Sequence, residues 1–271
     1  MGSIDFIGIF GVKTNTKMAL LESNNPALSE KIFRRESGEI TGETMTVRGA
    51  INKFGFLLLM VIAGAAYTWH LFDQYKLQTM NTMMYVGLFG GLITAFVIIF
   101  KPKLSAYLAP AYGLLEGFFL GAISVTFNEM FKETYPGIII QAVGLTFGVA
   151  IAMFLLYNFR IIKVTNKFRS ILISATLGIA IFYFITIVLR LFGVNVAFMY
   201  DSSLLGIGIS LFVVAIAALN LLLDFDMIEQ GARQGAPKFM EWYGAFGLLV
   251  TLVWLYLEIL KLLSRFAGDR R

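Results

Sequence analysis

Apolar and polar residues are intermixed through the first fifty positions. From Phe54 onward the pattern changes abruptly to long apolar runs separated by short polar breaks. Seven such runs follow: Phe54–Leu71, Met83–Phe100, Leu104–Phe127, Ile138–Tyr157, Ile171–Leu191, Leu204–Leu223 and Phe246–Leu263. Each is close to the ~20 residues that a helix rising ~1.5 Å per residue needs to cross ~30 Å of hydrocarbon. None alternates apolar with polar positions as barrel strands do, and helices pair their own backbone groups where no water is present. The pattern predicts an all-α membrane protein: seven transmembrane helices within residues 51–271, after an amino-terminal tail over residues 1–50. The tail reads as partly disordered, with a short surface helix around Ala27–Arg35. Met1–Leu20 has no continuous apolar core, so no cleavable signal peptide is expected. Gly and Ala are frequent in the runs, and the four-residue spacing of Gly87 and Gly91 suits close helix packing in lipid.

Basic residues orient the helices. Seven fall between Lys13 and Lys53, and the breaks containing Lys101 and Lys103, Arg160 to Arg169, and Arg233 and Lys238 lie on the same side. That side carries fifteen Lys and Arg against Lys76 and Lys132 opposite, so it is expected to face the cytosol. Seven spans leave the carboxyl end outside, although it carries Arg265, Arg270 and Arg271. A re-entrant seventh segment, returning that end to the cytosol, is the alternative.

Composition narrows the chemistry. Hydrophobic residues make up 58% and charged residues 14%, with a mean hydropathy of +0.77. A soluble domain carries about 25% charged residues, so lipid is the fitting solvent. The net charge of +5 is accounted for by topology rather than by a nucleic-acid surface. Cys is absent, which excludes disulfides and thiol chemistry, and the single His70 excludes a zinc site with several His ligands. No HExxH, GxSxG or Gly-rich phosphate loop occurs, so an enzyme is not expected.

Charged residues inside the runs are costly, roughly 2.5–3.5 kcal/mol each at the helix centre, and are the first candidates for function. Glu116, Asp224, Asp226, Glu258 and Lys261 qualify. Glu116 and Glu258 each lie twelve residues into their runs, about 18 Å deep. Asp224 and Asp226 fall at the cytosolic end of the sixth run, with Asn220 one turn deeper than Asp224 on the same face. This gives a string of oxygen ligands from the cytosolic mouth to mid-membrane. Calcium takes six to eight such ligands, and carboxylates that share a dry site exchange a proton for a cation. Each residue also has a structural reading. Glu258 and Lys261, three apart, neutralise one another. Asp224 and Asp226 form a solvated helix end facing Arg233 or Lys238. Glu116 bonds a neighbouring helix.

The stretch Leu223–Glu229 (LDFDMIE) together with Trp254–Leu263 (WLYLEILKLL) resembles the last two helices of the Bax inhibitor-1 family. Glu116–Gly121 (EGFFLG) resembles that family's third helix. The tail, with Asn25–Leu28 and Met45–Gly49, is similar to the bacterial YccA-like branch. The resemblance implies seven helices with the last one central, wrapped by the other six. It also implies a pH-sensitive calcium leak, gated by a carboxylate pair between helices six and seven: Asp226 in the first position and Glu258, longer than the family's usual Asp, in the second. Asp224 is the alternative partner. Helix arithmetic puts Asp226 well to the cytosolic side of Glu258, so the pair requires a bend in the sixth helix or a late start to the seventh. The loop Glu229–Tyr243 is also long for the family. Calcium is then the transported or bound ion, with no tightly held cofactor. Bacterial relatives imply a second role, modulating a membrane-bound protease through the tail. A secondary transporter, with unwound segments at Gly90-Gly91 and Gly206–Gly208, is a further reading.

Overall fold

The computed structural model describes residues 43–194 and 203–268. The surface helix expected at Ala27–Arg35 and the rest of the proposed docking tail up to residue 42 lie outside the described residues. Among the described residues, seven α-helices, each long and apolar enough to cross a bilayer, make up the fold. They are α1 (Val47–Asp73), α2 (Leu77–Phe100), α3 (Ser105–Met130, after a 3₁₀ turn at Pro102–Leu104), α4 (Ile138–Asn158), α5 (Asn166–Leu191), α6 (Leu204–Arg233) and α7 (Met240–Gly268). The chain is an integral, multi-pass membrane protein. We refer to the end where α1, α3, α5 and α7 begin as the basic end.

Several helices outrun their apolar stretches, for local reasons. Thr46 caps α1, its hydroxyl accepting the Gly49 N–H at 2.9 Å, so the helix begins inside the expected tail. Thr165 caps α5 in the same way through Phe168 N–H at 3.2 Å, which brings Lys167 and Arg169 out of the expected loop and into the first turn. α6 continues past Leu223 to Arg233, because its acidic residues find partners on neighbouring helices rather than in solvent. α7 begins at Met240, leaving residues 234–239 as the connection, so most of the expected long loop is helix. α7 then runs unbroken for 29 residues, about 43 Å, long enough for a full span and without the break that a re-entrant segment needs.

α7 is the most buried helix: 72% of its apolar window is inside the protein, against 17% for α1, α2, α4 and α5. It packs on α1, α3, α4 and α6, whereas α2 packs on α3 and α1, and α5 on α6. Four helices pack closely on α7, and α5 reaches it through the side chain of Tyr183. The tightest approach is between α1 and α3. A β-carbon at Gly117 would lie 3.0 Å from Gly64 Cα and overlap the Val61 carbonyl oxygen. Gly113, Gly117 and Gly121, four apart, form a small-residue face against α1, and Gly87 and Gly91 let α2 approach the other side of α3. Lipid tails are as apolar as these side chains, so dispersion at close range holds the pair together rather than solvent exclusion.

At the basic end a backbone clasp joins the start of α1 to the connection before α7. Met45 N–H donates to Ala236 C=O at 2.7 Å and Lys238 N–H to Glu43 C=O at 3.0 Å, around the isolated bridge Thr44–Pro237. Glu241, fully buried, accepts from Thr46 N–H at 2.8 Å and Thr46 hydroxyl at 3.0 Å and pairs with Lys53. A carboxylate at the amino terminus of α1 also complements the helix dipole.

Candidate functional site

The polar groups between α5, α6 and α7 follow from one repeat. Arg169, Leu172, Thr176, Ile179, Tyr183 and Thr186 are spaced three and four apart along α5, a heptad stripe that presents one face to α6 and α7. Leu172 and Ile179 pack with Val213, Ile216 and Leu223 of α6. The positions seven apart carry the polar contacts, each about 10.5 Å from the next.

At the basic end, Arg169 donates to Asp226 Oδ2 at 2.8 Å, with both side chains about one-tenth exposed. Gln230 donates to the same oxygen at 2.6 Å, and Tyr157 of α4 lies 3.4 Å from Oδ1. One level further in, Asn220 donates to Thr176 hydroxyl at 2.9 Å and to Ile216 C=O at 2.8 Å. At the third level, Tyr183 hydroxyl donates to Glu258 Oε1 at 2.9 Å. Lys261 brackets the same carboxylate at 3.0 and 3.1 Å, its ammonium 4.6 Å from the Tyr183 ring centre.

Asp226 and Glu258 do not meet. The antiparallel register of α6 and α7 is given by Ile228, which faces Gly244, and Asp224, which sits beside the Thr251 hydroxyl. Asp226 is therefore level with α7 near residue 247, and Glu258 lies roughly 16 Å further along. α6 shows no break that would close this gap, and α7 starts earlier than its apolar run, which widens it. Each acid has its own cation instead. Glu116 is elsewhere again: it lies against Gly91 of α2 and is bonded to Tyr112, whose ring packs edge-on to Phe246 of α7 at 4.9 Å. No three of the acidic or His side chains gather around one point among the described residues, so the expected ligand set Asp224, Asp226 and Glu258 is not assembled.

Asp224 differs from the others. It is 2% exposed, one carboxyl oxygen faces Thr251, and Oδ2 has no hydrogen-bond partner. Its level on α7, eleven residues from Met240, is about 16 Å from the basic end of that helix. Asn220 lies one turn away on the same face, as the spacing anticipates. The partners Arg169, Thr176 and Tyr183 were not anticipated as site residues. Their seven-residue spacing was the available signal.

The sequence model of the family described as Bax inhibitor 1 like matches residues 25–268. The chain belongs to that family. No curated protein and no solved structure matches it. The match runs through all seven helices of this Bax inhibitor 1 like protein, including every polar residue of the α5–α6–α7 seam.

Proposed function

We propose that this Bax inhibitor 1 like protein is a pH-sensitive cation leak, with calcium as the ion, in which Asp224 is the group that exchanges a proton for the cation. The supporting observation is the unpartnered Oδ2 of Asp224, buried between α6 and α7. An ionised carboxylate in such a place requires a counter-charge, and a buried polar atom without one is a place where a proton or a metal ion gains most. Thr251 of α7 is the polar group beside it among the described residues. The nearest charged groups on the seam, Asp226 with Arg169 toward the basic end and Glu258 with Lys261 toward the other, are already matched.

This arrangement reads as a closed leak. Asn220 and Thr176 continue the polar seam from Asp224, and the ion pairs Arg169–Asp226 and Lys261–Glu258 close its two ends. Loss of the proton from Asp224 draws water or a cation to the seam and favours opening, so flux rises with pH. The basic end faces the cytosol, as the Lys and Arg distribution expects, and the membrane is a bacterial plasma membrane. The test is calcium flux into proteoliposomes across a pH series. Asp224→Asn is expected to flatten the pH response, while Asp226→Asn changes the flux level and keeps the response. Wild-type flux and pH response in Asp224→Asn would overturn the assignment.

A further inference from the structure

α1 and α4 both pack on α7 but barely touch each other, and a groove opens between them toward lipid. Two cavities, about 430 and 340 Å³, share Phe147 and Leu252 and join end to end. The α1 wall runs from Val47 to Trp69, about 33 Å, which is the thickness of the hydrocarbon layer. The floor is the otherwise buried α7, from Leu248 to Tyr256.

The groove carries charged side chains only at its basic end. There Tyr157 and Glu229 line it beside Arg160, and the guanidiniums of Arg160 and Arg233 converge on one oxygen of Glu229. Two positive charges on one carboxylate leave one unmatched, on side chains that are 51% and 66% exposed. Arg160 also has φ +56°, the left-handed conformation just past the end of α4, where Ile161 N–H closes the helix onto Leu156 C=O at 3.0 Å. Glycine is the residue that such an end favours, and any other residue there is strained by about 1 kcal/mol. An arginine kept at that cost, its guanidinium 5.3 Å from the Tyr157 ring centre at the mouth of the groove, points to use of the side chain.

The geometry points to a phospholipid site: one acyl chain lies between α1 and α4 against Leu252, and an anionic headgroup is held by Arg160 and Arg233. The charge argues against a second copy of the chain in this groove, because two protomers related by a parallel two-fold axis would bring like charges together at the mouth. The inference rests on the groove and its mouth, not on the leak.

The full chain, purified in detergent, is offered equal phosphatidylglycerol and phosphatidylcholine with identical acyl chains, and bound lipid is read by native mass spectrometry. One basic side chain at a lipid headgroup gives about a fivefold preference for phosphatidylglycerol. Arg160→Gly relieves the left-handed backbone and is expected to fold normally while bringing the preference close to one. Arg233→Gln is expected to lower it as well, and Ala150→Trp, which fills the groove, to reduce retention of both lipids. Equal retention by the wild type, or an unchanged preference in both arginine variants, would overturn the proposal. So would a lipid-free dimer of the wild type that Ala150→Trp dissociates.

Discussion

The pair Arg169–Asp226 is the strongest anchor of α5, which buries only Arg169, Leu172, Ile179 and Thr186 of its 26 residues. Arg169→Gln strands Asp226 with Gln230 and Tyr157 alone, in a position where its side chain is 12% exposed. Removing one member of a buried ion pair costs about 3–5 kcal/mol, because the remaining charge has been taken out of water without compensation. Asp226→Asn strands the guanidinium and is expected to cost a comparable amount. The double variant removes both charges, leaves a neutral pair of amides, and should cost much less than the two single changes together. A coupling of about 2 kcal/mol or more is expected, within the range for contacting buried groups. The cycle is measured by reversible unfolding in mixed micelles, followed through helical signal, with the four proteins compared at one pH and lipid ratio. Because α5 is held to α6 chiefly through this stripe, hydrogen exchange should also rise along Asn166–Ile179 in each single variant. Single changes below about 0.5 kcal/mol that simply add would show that water already solvates the pair, and the account of α5 as a pinned helix would fail.

Gly117→Val drives a side chain into the Val61 carbonyl and should destabilise the protein by about 3 kcal/mol; Gly55→Val, on a face open to lipid, is the matched control and should be near neutral. Glu241→Gln leaves Lys53 without its buried carboxylate and loosens the cap on α1, at a cost of about 1–3 kcal/mol. Protease sensitivity around residues 43–46 reports that directly, and unchanged cleavage counts against the clasp. Lys261→Met should lower stability more than Tyr183→Phe, since it removes the countercharge of Glu258 rather than one neutral donor; the reverse order in thermal unfolding would remove Lys261 from its assigned role.

The seven helices were legible because lipid permits only long apolar stretches, and every stretch read from Phe54 onward lies within or closely overlaps one helix. Their ends were less legible. Arg169 was grouped with the loop cations because its charge interrupts the hydropathy, yet Thr165 starts the helix four residues before it. Placing α5 from Ile171 hid the heptad that carries Arg169, Thr176 and Tyr183. The Glu258–Lys261 pair was readable from a three-residue spacing on one helix. The partner of Asp226 was not, since it depends on how two helices are rotated about their axes. The helix arithmetic that separated Asp226 from Glu258 agrees with the structure, and neither adjustment that would unite them occurs. In α3 the spacing of Gly113, Gly117 and Gly121 stood in plain view. Their role became clear only once α1 was seen lying across them.

The contact between Thr46 and Glu241 closes a loop of 195 residues. A ribosome delivers Thr46 to the membrane long before it delivers Glu241, so α1 enters the bilayer with only its own Thr46 cap, and with the Thr46 N–H and Lys53 still lacking their carboxylate. The molecule reaches its final form only when the last helix arrives and its Glu241 locks the entrance of the first. Truncation before Met240 therefore leaves more than a six-helix remnant of the protein: it leaves one whose first helix has lost the hold that fixes where it begins.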